Sequence, residues 1–169
     1  MVEPAPHAWD DPAWRARLVR RFGPQVTAWC DEAPATARRM AARWDLEALE
    51  PLPWGSTSRV VACRRRAGGE RAILKLTPDR ELARAEAAAL HAWEPAGRAP
   101  RLWAIDAQAG ALLMEAIEPG TRLTRDPDAA TAREFAALAA ALHVPAPAGG
   151  FPPLTERVDF VFAITAARL

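Results

Sequence analysis

Lysine is almost absent from this chain of 169 residues. One of its 22 basic residues is a lysine, Lys75, and the other 21 are arginines. This Ala- and Arg-rich composition suggests a coding bias that turns interchangeable lysines into arginine, so that the remaining lysine marks a position where arginine does not serve. Lysine is a compact point charge on a flexible stem, and from within a strand it reaches a phosphate oxygen. The apolar run at 72–76 fits such a strand, although a chance lysine at a strand edge fits as well.

Other scarcities exclude further classes of protein. The net charge of +1 gives no electrostatic attraction to nucleic acid or to an anionic membrane. Cys30 and Cys63 are the two cysteines, and their spacing matches neither a metal site nor a disulfide framework, which favours a reducing compartment. No run of about 18 apolar residues indicates a membrane span, and residues 1–12 lack the apolar stretch of a signal peptide. We therefore expect a soluble, cytoplasmic protein of one domain, or of one domain and part of a second.

The seven tryptophans offer an alternative interpretation, because aromatic and arginine side chains together form surfaces on which single-stranded nucleic acid stacks. Most of these tryptophans, however, fall in segments with helical periodicity at a spacing typical of a core. The near-neutral charge also lacks attraction for a nucleic acid backbone, so we expect no such partner.

The first 50 residues are predicted to be helical. The Asp-Asp-Pro sequence at 10–12 supplies a helix cap followed by a proline suited to the first turn. A second helix is predicted to start at the Glu-Ala-Pro sequence at 32–34 and to continue toward Leu49. The proline-rich stretch at 51–55 then ends the helical part.

Short apolar segments follow. Residues 59–64 and 71–77 form a predicted β-hairpin, because a Gly-Gly turn joins two runs of aliphatic residues. Residues 101–105 and 111–117 form a second predicted hairpin around a glycine-containing turn. We expect these strands to form one antiparallel sheet, with a helix at 79–94 packed across one of its faces.

The helix between the two hairpins carries a carboxylate in an unusual place. Pro78 and Asp79 signal its start, with Pro78 at the first helical position. Glu86 lies near the middle of an apolar face, where an unpaired buried carboxylate costs several kcal/mol or takes up a proton. We predict that Glu86 forms an ion pair with Lys75 on the preceding strand, within about 4 Å. If Glu86 instead lies at the margin of the apolar face, it points to solvent.

Two further helices are predicted after the second hairpin. The Asp-Pro sequence at 126–127 caps a helix on which Phe135 and Leu138 share one face. A Pro- and Gly-rich loop separates this helix from a last helical segment at 154–169. The apolar run at 160–164 exposes surface that a missing part of the fold would normally cover.

The order of these elements and five short motifs identify a family. The motifs are WGSTS at 54–58, AILKL at 72–76, EAAAL at 86–90, ALLME at 111–115 and EPGTRL at 118–123. Over residues 35–160 the chain resembles the aminoglycoside and hydroxyurea antibiotic resistance kinases, a group that includes streptomycin 6-phosphotransferases. The resemblance implies an α+β fold with three parts. These are an N-terminal helical segment at 1–50, a protein-kinase-like small lobe at 51–120 with an antiparallel sheet and one packed helix, and the linker and first helices of a truncated large lobe at 121–169.

The resemblance also assigns roles at a nucleotide site. It implies that Lys75 contacts the α- and β-phosphates of ATP and that Glu86 holds Lys75 in place. It implies further that the loop at 55–58 covers the phosphates, with its backbone N–H groups and hydroxyls available to them. The residues of this loop are Gly55, Ser56, Thr57 and Ser58. Because the loop has one glycine where kinases often have several, an ordinary turn between strands explains it about as well.

The adenine end of the site is implied in the same way. Met114 resembles the residue that guards the back of the adenine pocket. The backbone of Glu115 and of Ile117 would then pair with the edge of the adenine ring. Side-chain identity barely constrains these two backbone roles.

The family's catalytic motif is missing from the sequence. Kinases of this group use a His-Gly-Asp type of catalytic loop and a later metal-binding Asp, both in the large lobe. None of the three histidines here, His7, His91 and His143, is followed by Gly-Asp. We therefore expect no catalytic residue in this chain and no ligands for the Mg²⁺ that the family uses, so that the chain alone is inactive.

Three explanations for this absence stay open at the level of sequence. The chain is a gene fragment, half of a split enzyme with a complementing chain, or a non-catalytic module that binds nucleotide or another protein, by self-association for example. The apolar run at 160–164 favours the fragment. The acceptor would be a small-molecule alcohol, but the lobe that recognises it in this fold lies outside the sequence.

Overall fold

The computed structural model describes residues 9–120, 129–145, 151 and 153–166, which form an α+β arrangement. The helices are α1 Pro12–Phe22, α2 Val26–Arg43, α3 Arg80–Trp93, α4 Ala129–Ala141 and α5 Leu154–Ala166, with a short 3-10 helix at Glu94–Ala96. The strands are β1 Leu46–Pro51, β2 Arg59–Arg65, β3 Arg71–Leu76, β4 Leu102–Asp106 and β5 Ala111–Glu115.

The five strands form one sheet in the order β1-β2-β3-β5-β4, and every neighbouring pair is antiparallel. The predicted antiparallel sheet and both predicted hairpins, β2 with β3 and β4 with β5, are confirmed. β3 is the third of the five strands in this order and therefore lies at the centre of the sheet. Along the chain, α3 and β4 come between β3 and its neighbour β5. Such a sheet with one helix between strands is compatible with a kinase-like small lobe.

Helices cover both faces of the sheet. On one face Met40 of α2 packs with Leu74 of β3 and Leu113 of β5. On the other face Leu90 of α3 packs with Leu112 of β5. Successive residues of a strand point to opposite faces, and burying an aliphatic side chain of this size contributes about 1.5–3 kcal/mol. The predicted packing of the third helix across one face is therefore confirmed.

The start of α1 is also as predicted. Pro12 is the first helical residue, and the Asp11 carboxylate accepts a hydrogen bond of 2.9 Å from the Ala13 N–H. Gly23 follows the helix with φ of 87°, a conformation that favours glycine.

The predicted start of the second helix is wrong. α2 begins at Val26, and Pro34 lies in its interior. A proline inside a helix removes one hydrogen bond, but here the preceding turns are stabilised by packing. Val26 and Cys30 pack against Trp14 and Leu18 of α1. Tertiary contacts therefore extend the helix on both sides of the proline.

The predicted end of the second helix is wrong as well. The helix stops at Arg43, and Leu46–Pro51 is strand β1, paired with β2. Asp45 has φ of 52°, which breaks the helix before the strand begins. Leu, Glu and Ala are good helix formers, but pairing to the sheet edge and burial of Leu46 outweigh that local preference.

The predicted position of Pro78 as the first residue of α3 is wrong. Asp79 is the cap, and its carboxylate accepts a hydrogen bond of 3.0 Å from the Leu82 N–H. Pro78 therefore precedes the cap instead of occupying the first helical position.

The helices α4 and α5 lie where helices were predicted, whereas the predicted cap at 126–127 falls outside the described residues. Among the helices that the structure describes, none is both long and apolar enough to cross a membrane.

Candidate functional site

Lys75 and Glu86 form an ion pair between the sheet and α3. The Lys75 Nζ lies 2.6 Å from both Oε1 and Oε2 of Glu86. The two side chains are 21% and 25% exposed, so the pair is accessible from solvent on one side. The ion pair predicted from the single lysine is confirmed.

The reason for the pair differs from the one predicted. The buried face of α3 consists of Ala83, Ala87 and Leu90, and Glu86 lies at the flank of that face. Because the carboxylate is only partly buried, its pairing is not forced by desolvation, and it contributes little stability, about 1 kcal/mol or less. The pair instead fixes the direction of the Lys75 side chain.

Lys75 occupies a defined position in the sheet. It pairs directly with Val60 on β2 and with Leu112 on β5, so these three residues share the face that α3 covers in part. Met114 pairs with Ile73 two residues away on the same face, is 8% exposed, and packs with the buried residues of α3. The structure thus brings Lys75, Glu86 and Met114 to one side of the sheet.

The loop between β1 and β2 turns tightly at Gly55. Its φ is 98°, and a Cβ at this position would lie 2.5 Å from the carbonyl oxygen of Ser58. Only glycine fits such a turn without strain. Within the loop Ser56 is exposed, Thr57 is half-buried and Ser58 is 2% exposed, so the three hydroxyls differ in access.

Sequence reasoning missed the side chains that hold this loop. Arg17 of α1 donates hydrogen bonds to the carbonyl oxygens of Gly55, at 3.1 Å, and Pro53, at 2.7 Å. No sequence pattern indicates this contact, because the residues are almost forty positions apart and the acceptors are backbone atoms.

The other end of the loop is held in the same manner. The Trp14 Nε1 donates to the Ser58 carbonyl at 3.0 Å, and the Thr77 hydroxyl donates to the Thr57 carbonyl at 3.0 Å. Arg59, the next residue, is 1% exposed, and its guanidinium lies 4.5 Å from the centre of the Trp14 ring. Burial lowers the pKa of Arg59.

The segment after β5 is held at both of its ends. The Glu115 N–H donates to the Arg101 carbonyl at 2.9 Å, and the Glu115 carboxylate accepts from the Arg101 N–H at 3.2 Å. Glu118 forms an ion pair with Arg71 at the start of β3. Among hydrogen bonds between described backbone groups, none uses the Ile117 N–H, and the Ile117 side chain is 65% exposed.

The sequence that forms this sheet, helix and loop has a match among known proteins. The sequence pattern of the aminoglycoside/hydroxyurea antibiotic resistance kinase family matches residues 43–168. The chain belongs to this family. The resemblance predicted from the five motifs is confirmed, and the matched region ends later than predicted.

Two curated relatives are similar to the chain over part of their own length. It is 33% identical over 136 residues to a streptomycin 6-kinase of Streptomyces glaucescens, covering 79% of this chain and 44% of that protein. It is 35% identical over 143 residues to a hydroxyurea phosphotransferase of Kitasatospora aureofaciens, covering 82% of this chain and 42% of that protein. The chain therefore spans less than half the length of these two kinases.

A cavity of about 820 Å³ lies away from Lys75. It is formed by the connection at 97–100, the segment at 115–118 and one side of α4. Neither Lys75, Glu86 nor the loop at 55–58 contributes to it. Glu115 and Ile117, the residues predicted at the adenine edge, line this cavity. We centre the candidate site on Lys75, because its ammonium is held by Glu86 and is accessible from solvent.

The cysteines have no chemical role in this site. Cys30 and Cys63 are both buried and unpaired in disulfides. Burial raises the pKa of Cys63 to about 11 and also raises the pKa of Cys30. Both thiols are therefore protonated at neutral pH and are poor nucleophiles.

Proposed function

We propose that this chain is the nucleotide-binding part of an ATP-dependent phosphotransferase that acts on the hydroxyl of a small molecule. The ion pair of Lys75 with Glu86 is the observation that carries the proposal. A carboxylate that holds the ammonium by two contacts of 2.6 Å fixes the lysine on the face of the sheet that α3 covers in part. There it meets the α- and β-phosphates of ATP as a point charge.

The adenine ring is proposed to lie against Met114, at the far end of the same face. The backbone of Glu115 and Ile117 then pairs with the ring edge, with the Ile117 N–H as donor and the Glu115 carbonyl as acceptor. The hydrogen bonds between Glu115 and Arg101 hold this backbone in place. Preorganised backbone groups bind at lower entropic cost than mobile ones.

We propose that this chain lacks groups that phosphate transfer requires. A carboxylate must accept the proton of the attacking hydroxyl, and Mg²⁺, when bound, neutralises the charge of the β- and γ-phosphates. The sequence contains no His-Gly-Asp motif. Within the described residues, no three His, Cys, Asp or Glu side chains cluster as metal ligands. The carboxylates of Asp126 and Asp128 lie outside the residues that the structure describes.

The acceptor is proposed from the relatives. Their names point to streptomycin and hydroxyurea, so an antibiotic or another small hydroxyl compound is the expected class of substrate. Recognition of the acceptor is assigned to a large lobe, of which residues 121–169 are proposed to form only the linker and first helices. The division of the preceding residues into an N-terminal segment at 1–50 and a small lobe at 51–120 is also a prediction.

A second candidate function is a module that binds nucleotide or another chain without chemistry. The exposed side chains of α5 favour it, since Leu154 is 78% and Phe162 is 71% exposed. The side chains of the remaining residues in the predicted apolar run at 160–164 lie outside the described set. A complementing chain or a second copy would bury such a surface.

We predict that the isolated chain binds ATP weakly and transfers no phosphate. The expected dissociation constant lies near 1 mM, about 4 kcal/mol of binding, because the Mg²⁺ ligands and the floor of the site are missing. Radiolabelled ATP and Mg²⁺ incubated with streptomycin or hydroxyurea should give no product above a Lys75→Ala control. Turnover that depends on Lys75 would contradict the prediction and would indicate a catalytic carboxylate in this chain.

A further inference from the structure

Helix α1 precedes the residues matched by the family pattern, and yet it contacts the loop proposed to cover the phosphates. Arg17 holds the Gly55 carbonyl with Nε and the Pro53 carbonyl with Nη2. Its Nη2 also lies 4.0 Å from the Asp11 carboxylate, which caps the same helix and balances the charge. Because the planar guanidinium donates to both carbonyl oxygens, it fixes two peptide groups at once.

Fixing a carbonyl also sets the direction of the next N–H group. The peptide after Gly55 is trans, since Glu118-Pro119 is the cis bond among the described residues. In a trans peptide the carbonyl oxygen and the following N–H point to opposite sides of the chain. Because the Gly55 carbonyl points to Arg17 of α1, the Ser56 N–H points away from α1.

In β2, which follows this loop directly, the side away from α1 is the side of Lys75. Arg59 stacks on Trp14 of α1, whereas the next residue, Val60, pairs with Lys75. Neighbouring strand residues face opposite sides of the sheet, so α1 and Lys75 lie on opposite sides of β2. Backbone N–H groups turned to one side of a tight loop form a concavity that binds anions.

We propose that α1 positions this loop for nucleotide phosphate, with Arg17 fixing the Gly55 peptide so that the Ser56 N–H faces a phosphate oxygen. The proposal rests on the proposed function, namely that the chain binds ATP at Lys75. Arg17 acts through the loop and does not touch the nucleotide, so it is a positioning residue. Trp14 of α1 holds the Ser58 carbonyl, and Thr77 after β3 holds the Thr57 carbonyl, at the other end of the loop.

The test compares Arg17→Ala and Arg17→Gln with Arg38→Ala, which removes an exposed arginine from α2. The folding of each variant is first checked by circular dichroism. Arg17→Gln retains a hydrogen-bond donor on a shorter side chain. Hydrogen exchange of the amides at 52–58, measured by mass spectrometry without nucleotide, should be about fivefold faster or more in Arg17→Ala. Arg38→Ala should exchange like the wild type.

Affinities for ATP and adenosine are then measured by ligand-observed NMR. Arg17→Ala should weaken ATP binding about 5- to 10-fold, because the Ser56 N–H is no longer held towards the phosphate and its hydrogen bond is only weakened, while adenosine binding changes less than about twofold. Equal weakening of both ligands would show a merely structural role and would overturn the proposal, as would unchanged exchange. A wild-type chain that binds neither ligand would overturn the proposed function, and the exchange rates would then decide separately whether Arg17 fixes the loop.

Discussion

Replacement of Trp14 by alanine is expected to lower the free energy of unfolding by about 3–5 kcal/mol. Trp14 is fully buried between α1, α2 and the sheet, and it packs with Leu18 and Val26. Its loss opens a large cavity, removes the ring on which the Arg59 guanidinium stacks, and leaves the Ser58 carbonyl without its donor. A domain at the low end of the typical total of about 5–15 kcal/mol would then be close to unfolded.

Urea denaturation followed by far-ultraviolet circular dichroism measures this loss without depending on tryptophan fluorescence. Trp54→Ala is the matched control, because Trp54 is 46% exposed and its loss should lower the unfolding free energy much less than the loss of Trp14. A Trp14→Ala variant as stable as the control would show that α1 is not integral to the fold.

Replacement of Glu86 by alanine is expected to weaken ATP binding about 10-fold, although Glu86 is not proposed to touch the nucleotide. Without the carboxylate, the Lys75 ammonium is no longer held along the face of the sheet and must be ordered on binding. Because the pair is partly exposed, the unfolding free energy should change by only about 1 kcal/mol. Loss of affinity without loss of stability separates a positioning role from a structural one.

Ligand-observed NMR titration with ATP reaches the millimolar range that this comparison requires. Glu94→Ala, which removes an exposed carboxylate just after α3, serves as the control and should bind like the wild type. If Glu86→Ala binds ATP as well as the wild type does, the ion pair has no part in nucleotide binding.

Local signals in the sequence were enough to predict the hairpins and the ion pair. A Gly-Gly turn between aliphatic runs indicates a β-hairpin whatever surrounds it, and β2 and β3 follow that rule. The pairing of Lys75 with Glu86 was also predictable, since a strand followed by a tight turn and a helix brings these positions together. Both features depend on residues close in sequence.

The features that could not be predicted depend on distant partners. Strand β1 is composed of good helix formers, and only pairing with β2 makes it a strand. Pro34 looked like a helix start, but packing of α2 on α1 extends the helix around it. Arg17 reads as an ordinary surface arginine until the fold brings it to the Gly55 carbonyl.

Lys75 is proposed to contact the phosphates of a bound nucleotide, and because it is the single lysine of the chain, this contact can be tested directly. An ATP analogue with an acyl group on its terminal phosphate acylates an amine that lies beside the phosphates. Mass spectrometry of the labelled and digested chain should show one modified side chain, Lys75, with labelling suppressed by excess ATP and absent from Lys75→Arg. Labelling of Lys75 that excess ATP does not reduce, or labelling confined to the N-terminal amine, would contradict the claim.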